Sequence, residues 1–272
     1  MTAERKSEPA YPVPGLERGI RILQMFNAGR RSIAPPEIAR ELGLPRTTVY
    51  RLVQALEHLG LLERLEGGSS FRPGLAILSL GFECLASLDI SELGRPVLDE
   101  LSDQTGLASH LVLRDGVDVV VVQKAQGKSP FASALQIGTR LPVHGTVLGR
   151  MSLIDMPKDE LDQLFDNQDM SAFTEQTPRT VDALAAMLVL DAKRGYAVSD
   201  SFFEQGISTI AAPVRDQSGL SVGAVNVTLR GAPSSDPAFD ALVDQVVKAG
   251  TALSRSLRYQ RAFTREPMPH AG

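Results

Sequence analysis

The apolar positions in the first quarter of the chain recur at α-helical spacing and predict three short helices before residue 60. The first helix is expected to stop near residues 27–29, and its apolar positions are Leu16, Ile20, Leu23 and Phe26, with Ile22 alongside. The second helix is predicted from Glu37 to Leu42, directly after two prolines. The third helix has a predicted buried stripe of Val49, Leu52, Val53, Leu56 and Leu59.

A glycine and a proline join the second and third predicted helices. Gly43 suits the left-handed position that follows a helix, and Pro45 suits the first turn of the next one. The order of Ala39, Gly43 and Val49 is that of a helix-turn-helix. Opposite its buried stripe, the third helix carries one continuous polar face, which consists of Thr47, Tyr50, Arg51, Gln54 and His58.

Two short β-patterns follow the third helix and predict a hairpin. Residues 61–65 are typical of a strand, residues 66–69 of a turn and residues 70–72 of a return strand. A hairpin at this place is the wing of a winged helix. The polar face alone would fit a merely solvated helix surface, but the turn and the wing together favour a DNA-binding module.

The charge distribution supports a nucleic-acid role for the N-terminal part alone. The net charge of the chain is −4, yet residues 1–72 hold 11 basic and 8 acidic side chains. A mildly basic module on an acidic remainder fits double-stranded DNA as the partner of that module.

The candidates for base contacts are Arg46, Thr47, Thr48, Tyr50 and Arg51, with Gln54 on the same face. The candidates for phosphate contacts are Arg18, Arg31 and Arg72, for which an ordinary surface position is an equally good interpretation.

The second half of the chain mixes helix and strand patterns and predicts an α+β domain. Apolar helical patterns run from Leu75 to Leu88 and again around residues 93–101. Hairpin signals lie at Asp115-Gly116 and at residues 216–219, and further helices are predicted over 146–154, 158–165, 180–194 and 237–259. The result is an antiparallel sheet flanked by helices. The apolar helix before it either packs on its own chain or is partly buried in a dimer.

The chain resembles the IclR family of bacterial transcriptional regulators from about Leu16 to Tyr259. The motifs that carry the resemblance are "LERGIRILQMF", "IARELGLPRTTVYRLVQALEHLGLLER", "FRPG", "IGTRLPVHGTVLGR", "KRGYAVSDSFFEQGISTIAAPV" and "GAVNVTL". It implies a winged helix-turn-helix at 15–73, a linker helix at 74–90 and a GAF-like effector-binding domain at 91–260. A flexible arm at 1–14 and a flexible tail at 261–272 would flank them. The resemblance also implies a homodimer or a tetramer built as a dimer of dimers, with RNA polymerase as a candidate partner.

An effector site is predicted in the second half. Thr146 is a candidate helix N-cap, and the free N–H groups of Val147 and Leu148 would attract a carboxylate. Asn226 and Thr228 alternate along a strand and therefore share one face, which also fits a water-facing sheet.

The resemblance implies a small organic acid held by Val147, Leu148, Asp200, Thr209, Asn226 and Thr228. The set of Thr209, Asn226 and Thr228 departs from the better-known pocket of the family. We expect Asp200 to accept a hydrogen bond from a ligand hydroxyl or to fix a pocket wall, and His144 to line the pocket or the core. Phe131, Phe202 and Phe203 would suit an aromatic carboxylate, although such residues are more often plain core.

Catalytic and metal chemistry find little support in the sequence. The four histidines lack metal-ligand spacing, and the lone Cys84 lies among apolar residues. His144, Asp200 and Thr146 could imitate a triad, but a triad also needs an activated nucleophile and an oxyanion hole. We therefore expect no cofactor, no metal and no enzyme, with a ligand-handling enzyme or binding module that carries an incidental helix-turn-helix as the alternative. Because we find neither a membrane-spanning run nor a signal peptide, we expect a cytoplasmic protein.

Overall fold

The chain forms two structural units, Met1–Ser87 and Leu88–Gly272. The computed structural model describes residues 13–27, 29–65, 67–86, 88–128, 135–200, 206–231 and 239–263. The predicted arm at 1–14 lies outside these ranges except for its last two residues. None of the described helices is both long enough and apolar enough to cross a membrane.

The N-terminal unit is a winged helix-turn-helix, as the sequence predicts. Its elements are α1 (Pro14–Gln24), α2 (Pro35–Leu42), α3 (Arg46–His58), β1 (Leu62–Arg64), β2 (Phe71–Pro73) and α4 (Ala76–Ala86). Gly43 has a φ of 64° and ends α2, so the turn uses the left-handed conformation that glycine adopts readily. Pro45 is the N-cap of α3, one position before the expected first turn. Strands β1 and β2 pair antiparallel as the wing, and Ile33 bridges to Phe71.

The core of this unit includes most positions of the two predicted apolar stripes but excludes three of them. Leu16 is 65% exposed and Ile20 is 45% exposed, whereas Gly19 and Ile22 are buried. Gly19 lies beside Leu56 of α3 on the buried side of α1. Leu59 is also exposed, since α3 ends before it.

The C-terminal unit is an α+β domain, which confirms the predicted fold class. Its helices are α5 (Asp89–Thr105), α6 (Val147–Leu153), α7 (Lys158–Leu164), α8 (Val181–Arg194) and α9 (Phe239–Phe263). Its strands are β3 (Ala108–Asp115), β4 (Asp118–Ala125), β5 (Arg140–Pro142), β6 (Ala197–Asp200), β7 (Ile207–Arg215) and β8 (Ser221–Arg230). The strands form one antiparallel sheet in the order β5-β4-β3-β8-β7-β6. The two predicted hairpins join β3 to β4 and β7 to β8.

Helices cover both faces of this sheet. Helix α5 lies on the face of Ser109, which donates a hydrogen bond to the carbonyl of Leu98. Helix α9 packs on the same side, where Gly250 lies against the side chains of Ala212 and Val225. Helices α6, α7 and α8 share a hydrophobic core with the opposite face, through side chains that include Val112, Ala197, Ala211 and Ala224. That second face carries the candidate ligand site.

Two predicted boundaries differ from the structure. The single linker helix expected at 74–90 corresponds to α4, which ends at Ala86, and to the start of α5 at Asp89. Helix α9 continues to Phe263, into the predicted tail, because no proline interrupts the sequence before residue 267.

Candidate functional site

The start of α3 presents a cluster of exposed polar side chains. Arg46, Thr47, Arg51 and Gln54 are exposed, Tyr50 is 52% exposed and Thr48 is half-buried. One open groove is lined by four of these side chains and by the two prolines at the start of α2. Its lining residues are Pro35, Pro36, Arg46, Thr47, Tyr50 and Arg51. Val49 and Val53 on the other side of α3 are buried in the core and hold the helix in place. The structure therefore brings the predicted base-contacting residues together on one accessible surface.

The three predicted phosphate contacts lie at separate places around this unit. Arg18 is exposed on α1, and Arg31 is exposed just before α2. Arg72 is on the wing strand β2, where its guanidinium donates to Glu63 at 2.9 Å, so a phosphate would compete with that carboxylate. Arg64 of the wing has a structural role instead, because it pairs with Glu57 and stacks over the ring of Phe71.

A row of polar side chains crosses the second face of the C-terminal sheet. Thr209 on β7 lies opposite Thr228 on β8, and opposite Ser199 on β6. Asn226 is fully buried, and its side-chain amide donates to the Thr228 hydroxyl at 3.0 Å. Directly opposed residues of antiparallel strands share a face, so these polar groups converge on one surface.

His110 belongs to the same surface, and the sequence alone did not single it out. It lies opposite Asn226 in the register of β3 and β8, and it is fully buried. Burial, and secondly the positive charge of Lys124, lower the pKa of His110 to about 4, an effect that the neighbouring Asn226 partly offsets. The imidazole is therefore uncharged at neutral pH. His110 shares a face of β3 with the buried Val112, and this spacing was the available sign that it is buried. The pairing of β3 with β8 was needed to show that it lies beside Asn226.

The N-terminus of α6 faces the same side of the sheet. Thr146 is its N-cap as predicted: the hydroxyl accepts from the N–H of Gly149 at 3.0 Å and donates to the carbonyl of Pro142. Within the described residues, the N–H groups of Val147 and Leu148 have no hydrogen-bond partner, and both side chains are buried. The two side chains pack in one core with Ala211, which lies opposite Asn226. The cap and the polar row thus share one face.

Two further predicted effector residues are His144 and Asp200. His144 is buried, its Nε2 is 3.1 Å from the carbonyl oxygen of Ser171, and its ring packs against Phe165 and Phe173. These contacts already account for the position of the ring. Asp200 ends β6 opposite Ser208, and its side chain lies outside the described part of the chain, as do Phe131, Phe202 and Phe203. Among the described residues, no three histidine, cysteine, aspartate or glutamate side chains gather as a metal site.

A winged helix-turn-helix with an accessible recognition face, joined in one chain to a separate α+β unit, defines the class of DNA-binding transcriptional regulators. Residues 15–66 match the IclR helix-turn-helix domain, and residues 82–255 match the family described as bacterial transcriptional regulator IclR C-terminal. The chain therefore belongs to the IclR family.

Relatives cover nearly the whole chain. It is 29% identical over 247 residues to the HTH-type transcriptional regulator XynR of Escherichia coli, across 91% of this chain and 98% of that one. A crystal structure described as a transcriptional regulator from Rhodococcus sp. RHA1 is 30% identical, with a TM-score of 0.79 over 92% of this chain and 100% of that one. An IclR homologue from Microbacterium hydrocarbonoxydans, complexed with 4-hydroxybenzoate, is 20% identical and shares the fold, with a TM-score of 0.77 over 90% of this chain and 99% of that one.

Proposed function

We propose that this regulator binds a palindromic DNA operator through α3 and is controlled by a small organic acid bound in its C-terminal unit. The observation that carries the proposal is the exposed cluster at the start of α3, held by a buried opposite face in a winged helix-turn-helix. In such modules the first residues of the recognition helix reach base edges in the major groove. Arg46 and Arg51 would pair with guanine, and Thr47 would contact a thymine methyl group or a phosphate.

Binding to a palindrome requires two recognition helices related by a two-fold axis. We therefore propose a homodimer, or a dimer of dimers, as the DNA-binding form. RNA polymerase is a further partner if the operator lies where the regulator can recruit it, whereas an operator that overlaps the promoter would make the protein a repressor.

The effector would occupy the face of the sheet shared by the polar row and the start of α6. The unpartnered N–H groups of Val147 and Leu148 are suited to a carboxylate, and Thr209, Asn226 and Thr228 offer hydrogen bonds to the rest of the molecule. Asp200 is assigned to the same site by its place in the family motif, whereas Thr146 and His144 would shape it. An aromatic carboxylate is the proposed class, in line with the 4-hydroxybenzoate bound by a protein of the same fold.

Effector binding would bias the dimer between two arrangements that differ in the spacing of their recognition helices. Linkage then requires the operator to change the affinity for the effector by the same factor as the effector changes the affinity for the operator. A sensor would show this reciprocity and would release its acid unchanged. A ligand-handling enzyme would instead convert the bound acid.

The direct test is a gel shift with the DNA upstream of the protein's own gene, over a series of salt concentrations and with unrelated DNA as competitor. We expect binding that survives the competitor at moderate salt. If binding disappears under those conditions, α3 attracts DNA only by non-specific electrostatics, and the proposal is contradicted.

A further inference from the structure

Two buried polar side chains lie opposite each other in the C-terminal sheet without satisfied hydrogen bonds. His110 is fully buried, and neither of its ring nitrogens makes a geometrically satisfactory hydrogen bond among the described residues, although the side chain of Asn226 lies near enough to favour the protonated ring. Asn226, its cross-strand neighbour, is also fully buried, and its Oδ1 atom has none either. The Nδ2 atom of Asn226 is occupied by Thr228, so the amide is held in one orientation with its oxygen free.

Such an arrangement costs folding free energy. A buried polar group loses its hydrogen bonds to water, and the loss is recovered only when the protein or a ligand supplies a partner. Nearly all buried polar atoms in native proteins have one, so three unpartnered atoms on two facing residues indicate a site that a bound molecule completes.

The surroundings of the pair fit a ligand site. Ala108 and Ala211, which neighbour the pair on the same face, are small, while Val112 flanks His110 further along β3. Thr209 and Thr228 border it on one side, and Lys124 faces His110 from β4 on the other. The Lys124 ammonium donates to the carbonyl of Leu135 and to the side-chain oxygen of Gln136. Its positive charge therefore stays near the site.

Building on the proposed effector function, we propose that His110 and Asn226 form a subsite that recognises a hydroxyl group of the effector. The ligand hydroxyl would donate its hydrogen to Oδ1 of Asn226 and accept a hydrogen bond from the imidazole N–H of His110. Both residues would be specificity determinants, because an acid that lacks the hydroxyl leaves the buried pair unsatisfied.

The chemistry of the pair favours a hydroxyl over a second carboxylate. The free amide oxygen of Asn226 can only accept a hydrogen bond, so the ligand group must donate one, and an ionised carboxylate cannot. The lowered pKa of His110 points the same way, since an uncharged imidazole gives no ion pair to an anion. A hydroxyl both donates and accepts and therefore satisfies both residues at once.

The subsite can be tested by calorimetric titration of the full-length protein with matched acids. The probes are benzoate against its 2-, 3- and 4-hydroxy isomers, and acetate against glycolate. We expect the wild-type protein to bind at least one hydroxylated acid about tenfold more tightly than its unhydroxylated partner. His110→Leu and Asn226→Ala should each reduce that ratio toward one, and His110→Gln, which keeps a donor and an acceptor, should retain part of it.

The matched control is Ser109→Ala, which removes a buried polar group from the opposite face of the same strand and should leave the ratio intact. Equal binding of hydroxylated and unhydroxylated acids by the wild-type protein would overturn the subsite while leaving the acid-sensing function in place. Absence of binding by every acid would overturn both. If His110→Leu or Asn226→Ala does not fold, the wild-type comparison of matched acids and the ratio retained by His110→Gln still decide between the outcomes.

Discussion

Arg150 on α6 and Asp191 on α8 form a buried ion pair, with 2.7 Å between Nε and the carboxylate oxygen Oδ2. The two side chains are 3% and 6% exposed, so the pair ties α6, whose N-terminus belongs to the candidate effector site, to α8. Burial raises the pKa of Asp191, and the charge of Arg150 opposes that shift. Removing Asp191 would take a charged partner away from Arg150 in a region that water does not reach.

Asp191→Ala is therefore expected to lower the free energy of unfolding of the C-terminal unit by about 3–5 kcal/mol, the usual cost of breaking a buried pair. Urea unfolding followed by circular dichroism would measure it. The control is Asp162→Ala, which breaks the exposed pair with Lys158 and should cost about 1 kcal/mol or less. Equal effects of the two substitutions would show that the buried pair has no special role.

Gly149 is expected to tolerate no side chain. A Cβ atom at this position would lie 2.2 Å from the Cα and carbonyl oxygen of Val143, which are backbone atoms that cannot rotate away. Gly149→Ala should therefore cost about 3 kcal/mol and displace the start of α6. Gly81→Ala in α4, where the added atom meets nothing within 4 Å, should be neutral or stabilising by up to about 1 kcal/mol. Midpoints of chemical unfolding would compare them, and a harmless Gly149→Ala would contradict the close packing.

The buried imidazole of His110 predicts a specific pH dependence of stability. Its pKa is about 4 in the folded protein and about 6.5 in the unfolded chain. As the pH falls from 6.5 to 4, the unfolded chain binds a proton at this residue that the folded protein does not, so the free energy of unfolding falls. The full loss is about 3 kcal/mol.

Unfolding free energies of the wild type and His110→Leu, measured from pH 8 to pH 4, would test this dependence. The carboxylates titrate in both proteins, so the difference between the two curves isolates the imidazole. We expect the curves to run parallel above pH 6.5 and to separate below it, with the variant losing less stability. Parallel curves throughout would mean that the pKa of His110 is the same in the folded protein as in the unfolded chain, which would contradict the lowered pKa.

The features that the sequence predicted correctly are local ones. The left-handed turn at Gly43 and the N-cap at Thr146 each depend on the residue itself and its near neighbours in the chain, and so do the hairpin turns. The periodicity of α1 predicted the helix and the core positions Ile22, Leu23 and Phe26, but it also included Leu16 and Ile20, which are exposed, because the extent of the buried side depends on tertiary contacts.

The site depends on contacts between residues far apart in the chain. His110 and Asn226 are separated by more than a hundred residues, and only the pairing of β3 with β8 makes them neighbours. The same holds for Arg150 and Asp191, because no pattern of residue types or spacing connects them along the chain. Residue types and short spacings predicted that Asn226 and Thr228 share one face of a strand. They could not identify β3 as the neighbouring strand that places His110 beside them.

Arg51 provides the sharpest test of the DNA interface. Its side chain is exposed on the polar face of α3, next to Thr47 and Tyr50, so Arg51→Ala should remove DNA contacts without disturbing the core. A bidentate contact to guanine would cost about 1–3 kcal/mol of operator affinity and relax specificity at one base pair, whereas a phosphate contact would lower the salt dependence and leave specificity unchanged. The measurements are operator affinity by fluorescence anisotropy at several salt concentrations, with operators altered at single positions.

Arg95→Ala is the matched control for Arg51→Ala, because it removes the same charge from an exposed position on α5 in the C-terminal unit. It should change neither operator affinity nor the slope of affinity against salt by more than a small non-specific amount. Equal losses for the two variants would mean that Arg51 acts only through net charge. If Arg51→Ala also abolished binding of the organic acid, misfolding would explain the result, since the acid is proposed to bind in the other unit of the chain.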